Sequence, residues 1–505
     1  MRQRPLYWFV LVFACLGVLF FPKTSQAAGK KGERPNVIVI MADDLGYECL
    51  SCNGGAPYKT PVLDELAANG LRFTNCVSEP LCTPSRVTIM TGRYNFRNYT
   101  RFGIIQKTEK TFGNIMKQAG YATCIVGKWQ LGYTRNDIQH FGFDEYCLWH
   151  LEGKTQRYTN FGKLVQNGKV RKSKQGEYGP DAVSNFMLDF ITRNKDNKFF
   201  CYYPMMLTHN PFVPTPDSKN PGTKKGKRQN GKYMIDMVAY TDTIIGRLVK
   251  HLEKLKLREN TVIIFTGDNG TNRSILFGMV GELNWPGGKG SLLNETGVRV
   301  PLVVNWPAGR QRGKVFNDPV DFTDILPTVA ELAGAKLPKD VKIDGHSFAG
   351  RLRGDKTYAP RKWAYNCYYG RARRTALQCA RDTRYKLYEG GQFFDFVTDP
   401  LHKKPLDPKT LDKAGKASHA ALSIVLEKMR KEIRIADKKY PTKTILLNRG
   451  QKLPKKQKRM KLKRLQTSIG NNRIECSWSR KRHPFAEYPF RKTVPIVSRV
   501  HGESM

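Results

Sequence analysis

Two groups of residues in this sequence carry functional groups at spacings that could do chemistry. The first is Leu81-Cys82-Thr83-Pro84-Ser85-Arg86, which runs on into Val87-Thr88-Ile89-Met90-Thr91-Gly92-Arg93. It reads as a cysteine set just before a helix start: Pro84 has the φ of a first helical position, Ser85 can cap the free N–H groups, and Arg86 adds a permanent cation. A helix N-terminus with an arginine beside it makes an anion pocket, and Cys82 stands at its lip. The second group is a scatter of polar residues, each placed after an apolar run: Asp43 and Asp44, Lys128, His209, and Asp268 with Asn269. Hard carboxylate and amide oxygens suit Ca²⁺ or Mg²⁺, and cations beside them suit an anionic substrate.

The elements that must position these groups are legible as strands. Asn36 to Met41 is a continuous, β-branched apolar run, the pattern of a parallel strand buried on both faces. It delivers Asp43 and Asp44. Ala122 to Val126 leads into Gly127-Lys128-Trp129-Gln130-Leu131-Gly132, Phe199 to Met206 into Thr208-His209, and Thr261 to Phe265 into Gly267-Asp268-Asn269-Gly270. In open α/β sheets ligands bind at the carboxyl edge of the strands, so four strand ends converge on one site. Helices fill the spaces: Thr60-Pro61 opens one that Gly70 closes, another lies near Thr111 to Gln118, and Met234 to Leu255 is amphipathic. The expected fold is α/β, a large, mostly parallel sheet flanked by helices, over residues 34–355. Past Pro360 short aromatic strands precede a helix near Ala420 to Ile435, which predicts a smaller antiparallel α+β subdomain over 356–440.

The Cys-x-Pro-Ser-Arg string resembles the signature of the formylglycine-dependent sulfatases, members of the alkaline-phosphatase-like superfamily. The likeness extends through Thr91-Gly92-Arg93, and with the strand ends above and Asp321 to Thr328 and Asp344 to Ser347 it covers most of the chain from Arg34 to about Pro400. The resemblance implies that Cys82 is oxidised to Cα-formylglycine by a formylglycine-generating enzyme, and that its hydrate is the nucleophile. It implies one divalent cation, Ca²⁺ with Mg²⁺ as the alternative, held by Asp43, Asp44, Asp268, Asn269 and the modified Cys82. Arg86, Lys128, His209 and Lys289 would offset charge on the sulfuryl group, and His209 or Lys289 would protonate the leaving alcohol. One position departs from the family pattern, Gly-Lys-Trp-His-Leu-Gly. Gln130 stands here where the family has the histidine that takes a proton during sulfate release, and an amide orients but is not a base.

Composition bounds the rest. With 505 residues, 40% apolar and 26% charged, the chain can bury two cores. Arg2 and Arg4, the apolar run Leu6 to Phe21 and the small residues to Ala27 form a signal peptide, residues 1–27, that predicts a secreted or periplasmic protein with no membrane attachment after cleavage. Of 11 cysteines, Cys15 leaves with that segment and Cys82 is consumed by modification, so nine remain and cannot all pair. Cys49 and Cys52 are buried thiols or one local disulfide. The net charge of +43 gathers in Lys224, Lys225, Lys227 and Arg228, and in a basic tail, 441–505, expected to be disordered. For an exported protein this favours acidic polysaccharide over nucleic acid. Trp129, Trp149, Trp285 and Trp306 are either sugar-stacking faces or core residues. The reading is therefore a sulfatase acting on sulfated carbohydrate. A phosphonate or phosphodiester hydrolase of the same superfamily and an exported polyanion-binding protein with a degenerate site are the alternatives.

Overall fold

The computed structural model describes residues 34–219, 231–279, 282–369 and 376–439. The signal segment, the Lys224–Arg228 cluster and the 441–505 tail lie outside these residues. In chain order the described elements are β1 (Asn36–Ala42), β2 (Gly55–Ala56), α1 (Pro61–Ala68), β3 (Leu71–Val77), α2 (Cys82–Thr91), α3 (Asn95–Asn98), α4 (Phe112–Gln118), β4 (Ala122–Lys128) and β5 (Glu145–Trp149). There follow β6 (Leu164–Gln166), β7 (Lys169–Arg171), α5 (Gly179–Arg193), β8 (Phe199–Pro204), α6 (Tyr233–Lys254), β9 (Thr261–Gly267), β10 (Leu276–Met279), β11 (Glu282–Pro286) and β12 (Arg299–Asn305). The last are β13 (Lys314–Phe316), β14 (Val320–Asp321), α7 (Ile325–Leu332), α8 (Ala349–Arg353), β15 (Ala364–Tyr368), β16 (Leu377–Arg381), β17 (Tyr385–Tyr388), β18 (Phe393–Asp395) and α9 (Lys413–Lys439).

The large sheet runs β13-β3-β12-β9-β1-β8-β4-β5-β6-β7, with β14 also on β3. Its centre, β9-β1-β8-β4-β5, is parallel throughout. Antiparallel pairing enters only at β12 and at β6–β7. The six residues of β1 from Val37 to Ala42 explain why an unbroken apolar run was needed. Ile38, Ile40 and Ala42 join a core with Val183, Met187, Met237, Ile244 and Leu248 from α5 and α6. Val37, Val39 and Met41 join the opposite core with Val87, Ile89, Ile115 and Val329 from α2, α4 and α7. Successive side chains point to opposite faces, so a strand covered by helices on both sides must be apolar at every position.

The expected C-terminal strands form a four-stranded antiparallel sheet, β15-β16-β17-β18, covered by α9. That helix runs from Lys413 to Lys439, longer than its apolar stretch implied. Leu422, Val425, Leu426 and Met429 pack on Tyr365, Leu387 and Phe393, and Tyr94, Phe96 and Tyr99 join the same core. The segment that follows α2 is thereby anchored in the second sheet. A third small sheet, β11-β10-β2, has no counterpart in the sequence expectation. All nine described cysteines are free thiols, Cys49 and Cys52 included. No described helix is long and apolar enough to cross a membrane.

Candidate active site

The helix that carries Cys82 starts earlier than its composition suggested. Leu81 is the extended N-cap and Cys82 is the first helical residue, so Pro84 sits within the first turn and not at its head. Ser85 caps nothing; its hydroxyl donates to the Glu79 carbonyl at 2.8 Å. The consequence for Cys82 is direct. Its Sγ, in the first turn of the helix, reaches the end of β1, 3.4 Å from Asp43 Oδ1 and 3.8 Å from Asp44 Oδ1.

Four strand ends meet there. Asp43 and Asp44 follow β1, with Asp44 at a φ of 63°, a left-handed turn that aspartate tolerates better than most side chains. Lys128 ends β4, and its Nζ donates to both oxygens of Asp43 at 2.7 and 2.8 Å. Gly127 before it has φ 109°, and a Cβ there would sit 2.1 Å from the Pro204 carbonyl oxygen, so only glycine lets β4 pass β8 at this point. Asp268 and Asn269 follow β9. Asp268 Oδ1 accepts from the Asp44 N–H at 2.9 Å and its Oδ2 from Arg86 Nη2 at 2.9 Å. Asn269 Nδ2 donates to Asp44 Oδ1 at 3.0 Å.

His209 arrives by a longer route than the sequence implied, because β8 ends at Pro204 and not at Met206. The intervening chain stays pinned to β1: Met205 N–H donates to Met41 O and Thr208 N–H to Asp43 O. His209 Nδ1 donates to the Asn210 carbonyl at 2.7 Å, since a carbonyl can only accept. Its Nε2 is thus the free nitrogen, 3.7 Å from Asp44 Oδ2. Lys289, from the glycine-rich loop after β11, reaches Asp44 Oδ2 at 2.5 Å.

Two residues of the site carried no sequence signal. Arg157, buried in the loop after β5, places Nη1 3.2 Å from Asp43 Oδ2 and its guanidinium 4.2 Å over the Trp149 ring. Nothing periodic precedes it. His150 ends the segment next to Gln130: the Gln130 N–H donates to the His150 carbonyl at 3.3 Å, and both residues have left-handed φ. Gln130 Oε1 and His150 Nδ1 are buried without hydrogen-bond partners. Trp129 and Trp149 are core residues and offer no sugar-stacking face, whereas Trp285 and Trp306 are half-buried.

The electrostatics follow from burying three carboxylates among cations. Burial raises the Asp43 pKa, but Lys128, His209, Arg86 and Arg157 outweigh it and hold the carboxyl well below its ordinary range. Asp44 is likewise lowered, against burial, chiefly by Lys289. Asp268 goes the other way, to about 7, through burial and then the charge of Asp43. Burial lowers His209 to about 4 and His150 to about 3. Burial, then Asp268, pushes the Cys82 thiol up.

The donor set suits a hard divalent cation. Ligand atoms of Asp43, Asp44, Cys82 and His209 lie within 4.8 Å of one another. Asn269 Oδ1 is buried beside them and accepts no hydrogen bond, a vacancy that a cation would satisfy. Every residue expected at the site from sequence, Cys82, Arg86, Lys128, Gln130, His209, Lys289, Asp43, Asp44, Asp268 and Asn269, lies along this one carboxyl edge.

Comparison with known proteins agrees with this geometry. The family profile described as Sulfatase matches residues 35–335, and that described as N-sulphoglucosamine sulphohydrolase, C-terminal, matches residues 281–438. The chain is 32% identical to arylsulfatase A of Homo sapiens, over 74% of this chain and 79% of that one. It is 30% identical to N-acetylgalactosamine-6-sulfatase of Mus musculus, over 66% and 68%. Among solved structures it is similar to Ps i-CgsB in complex with k-i-k-neocarrahexaose, with TM-score 0.66, 28% identity, and 79% and 93% of the two chains covered.

Proposed function

The chain belongs to the sulfatase family of the alkaline-phosphatase superfamily and is a sulfuric ester hydrolase; from that premise we propose that it acts on sulfated carbohydrate through Cys82 converted to Cα-formylglycine, with one divalent cation. The observation that carries this reading is the position of Cys82. It is the first residue of α2, its Sγ 3.4 Å from Asp43 and 3.8 Å from Asp44, the same carboxylates that Arg86 and Asn269 reach. A sulfated sugar as substrate is supported by the N-acetylgalactosamine-6-sulfatase relative.

Asp43, Asp44, Asp268 and Asn269 would hold the cation, Ca²⁺ or Mg²⁺, with the oxygen function at position 82 completing an all-oxygen set. When bound, such an ion polarises a sulfate oxygen and offsets its negative charge. The protein's own groups do the rest. Asp43 and Asp44 fix Lys128 and Lys289 at the pocket, and Arg86, held by Asp268 and the Lys128 carbonyl, adds a third fixed cation for the sulfuryl oxygens. A formylglycine hydrate at position 82 would supply the nucleophilic oxygen that displaces the sugar oxygen from sulfur, and its second hydroxyl would allow sulfate to leave by C–O cleavage with return of the aldehyde. His209, whose Nδ1–H is committed to Asn210, turns Nε2 towards the site and can give a proton to the leaving oxygen there only as imidazolium, whereas Lys289, the other candidate donor, is already an ammonium group paired with Asp44. Gln130 orients the nucleophile.

The reading further takes residues 1–27 as a cleaved signal, 34–355 as the catalytic domain and 356–440 as its subdomain, with an exported, secreted or periplasmic protein that meets a formylglycine-generating enzyme during maturation. The deciding experiment is the peptide mass around Cys82 in protein from its native host, with kinetics in parallel on an aryl sulfate and a phosphonate monoester. An aldehyde at position 82 and faster turnover of the sulfate are expected. An intact thiol in active protein, or faster turnover of the phosphonate, would overturn the assignment.

A further inference from the structure

The site holds more positive charge than a sulfate monoester needs. Asp43 is shared by Lys128 at 2.7 Å, Arg157 at 3.2 Å and Arg86 at 3.6 Å, Asp44 takes Lys289 at 2.5 Å, and Asp268 takes Arg86 at 2.9 Å. Four cations thus rest on three carboxylates. A fifth, Lys154, stands at the rim. It is exposed and has no ion-pair partner among the described residues. It lies in the loop between Trp149 and Arg157, three residues before the arginine that pairs with Asp43, and partial burial and then Arg157, Lys128 and Lys289 disfavour its charge, with Asp43 opposing them.

The loop that carries Lys154 is pinned on both sides. Thr155, next in the chain, has its carbonyl held by Trp149 Nε1 at 3.0 Å. Arg157, three residues on, is stacked on the same indole and paired with Asp43. Trp149 is fully buried and ends β5, so the loop is fixed to the sheet that builds the site. Lys154 is therefore a cation without an ion pair among the described residues, in an anchored loop three residues from a buried arginine that is paired with Asp43. A sulfate monoester brings one negative charge, and the divalent cation of the proposed mechanism adds to the surplus.

We infer that the preferred substrate carries a second anionic group beside the scissile sulfate, and that Lys154 binds it from the rim while Arg157 stiffens the wall beneath. This rests on the reading of the site as one that hydrolyses sulfate esters of sugars. The second anion is a sulfate or a carboxylate, since an ammonium group accepts either. The contact is partly solvated, so it should be sensitive to salt.

Two measurements keep the inference and the reading apart. Turnover of sulfated saccharides by the wild-type protein tests the reading. Binding, by calorimetry on Cys82→Ala protein that does not consume its ligand, tests the inference. The probes are one saccharide with a single sulfate, the same saccharide with an adjacent second sulfate, and the singly sulfated saccharide bearing an adjacent carboxylate. One or both doubly anionic probes should bind about three- to tenfold more tightly at low salt, with the advantage shrinking at high salt. Introducing Lys154→Gln should collapse that ratio towards one, Lys154→Arg should keep it, and Lys339→Gln, an equal charge change in the exposed loop after α7, should not alter it. Equal binding of all three probes, or a ratio that Lys154→Gln leaves intact, would overturn the inference even if turnover upholds the reading.

Discussion

Lys128 grips Asp43 at two points, its Nζ 2.7 Å from one carboxylate oxygen and 2.8 Å from the other, with both side chains removed from solvent. The lysine comes from the end of β4 and the aspartate from the end of β1, strands that are not neighbours but flank β8. The pair therefore spans the strand from which His209 emerges, and joins three strand ends into one rigid floor. Because Arg157 and Arg86 share the same carboxylate, Asp43 is the group on which the cations of the site balance.

Replacing Asp43 should be costly for both fold and activity. In Asp43→Ala, Lys128 and Arg157 are left buried without their carboxylate, and Arg86 keeps only Asp268. Removing one partner of a buried ion pair typically costs about 3–5 kcal/mol, because the remaining charge is uncompensated. We expect no measurable sulfate ester hydrolysis and a clear fall in the midpoint of thermal or urea unfolding. Wild-type stability in Asp43→Ala would show that the cluster is not structural.

The donor set predicts stabilisation by metal. A ligand that binds only the folded state at a hundred times its Kd adds about 2.7 kcal/mol. Chelator-treated protein should therefore unfold at lower temperature, and Ca²⁺ or Mg²⁺ should restore the midpoint. In Asn269→Leu, which deletes the unpartnered Oδ1, restoration should need higher ion concentration. A melting temperature indifferent to both chelator and ions would remove the metal from the site.

Gln130 is the position at which chemistry, not geometry, departs from the family pattern. Its backbone is already left-handed, with φ 55°, and its Oε1 is buried without a partner, so Gln130→His should fold and place a titratable ring at the same spot. If proton transfer limits sulfate release, Gln130→His should raise kcat by about tenfold or more, within the usual range for a positioned acid–base group, and add a limb to the pH–rate profile. An unchanged kcat and profile would mean that release is not limited by that proton.

How much of this was legible depended on periodicity. The buried strands announce themselves because residues such as Val37 to Met41 must be apolar on two faces, and the polar residue that ends each run is then conspicuous. Lys128, Asp43, Asp44, Asp268 and Asn269 were found this way. Arg157 and His150 were not. Arg157 sits in an irregular loop, and its partner Asp43 is 114 residues away, a contact made only when β5 and β1 assemble in one sheet. The start of α2 was misplaced because Pro84 and Ser85 are tolerated throughout the first turn, so composition marks that turn without fixing its first residue. The β11-β10-β2 sheet was invisible because β2 is only two residues long.

The join between the two main sheets should fail with acid, and one residue should account for a measurable share. Glu295, buried in the loop before β12, pairs with Arg381 of β16 at 2.5 Å and Lys386 of β17 at 3.4 Å. Burial raises its pKa, but Arg381 and Lys386 prevail and bring it to about 2, from an ordinary glutamate value of 4.5. A carboxyl lowered on folding stabilises the protein fully above its unfolded pKa, and that stability disappears as pH falls from about 4.5 towards 2. A drop of this size corresponds to on the order of 3 kcal/mol at neutral pH. Urea unfolding of wild type between pH 6 and about 3.5 should therefore lose stability with a steeper slope than Glu295→Gln, the excess approaching ~1.4 kcal/mol per pH unit for one proton. The two proteins should differ most near neutrality and converge as the medium becomes acidic. Because Glu295 follows the loop that carries Lys289, the same substitution should loosen that lysine and lower kcat at pH 7. Parallel stability profiles for the two proteins would show that the buried carboxylate does not hold the sheets together.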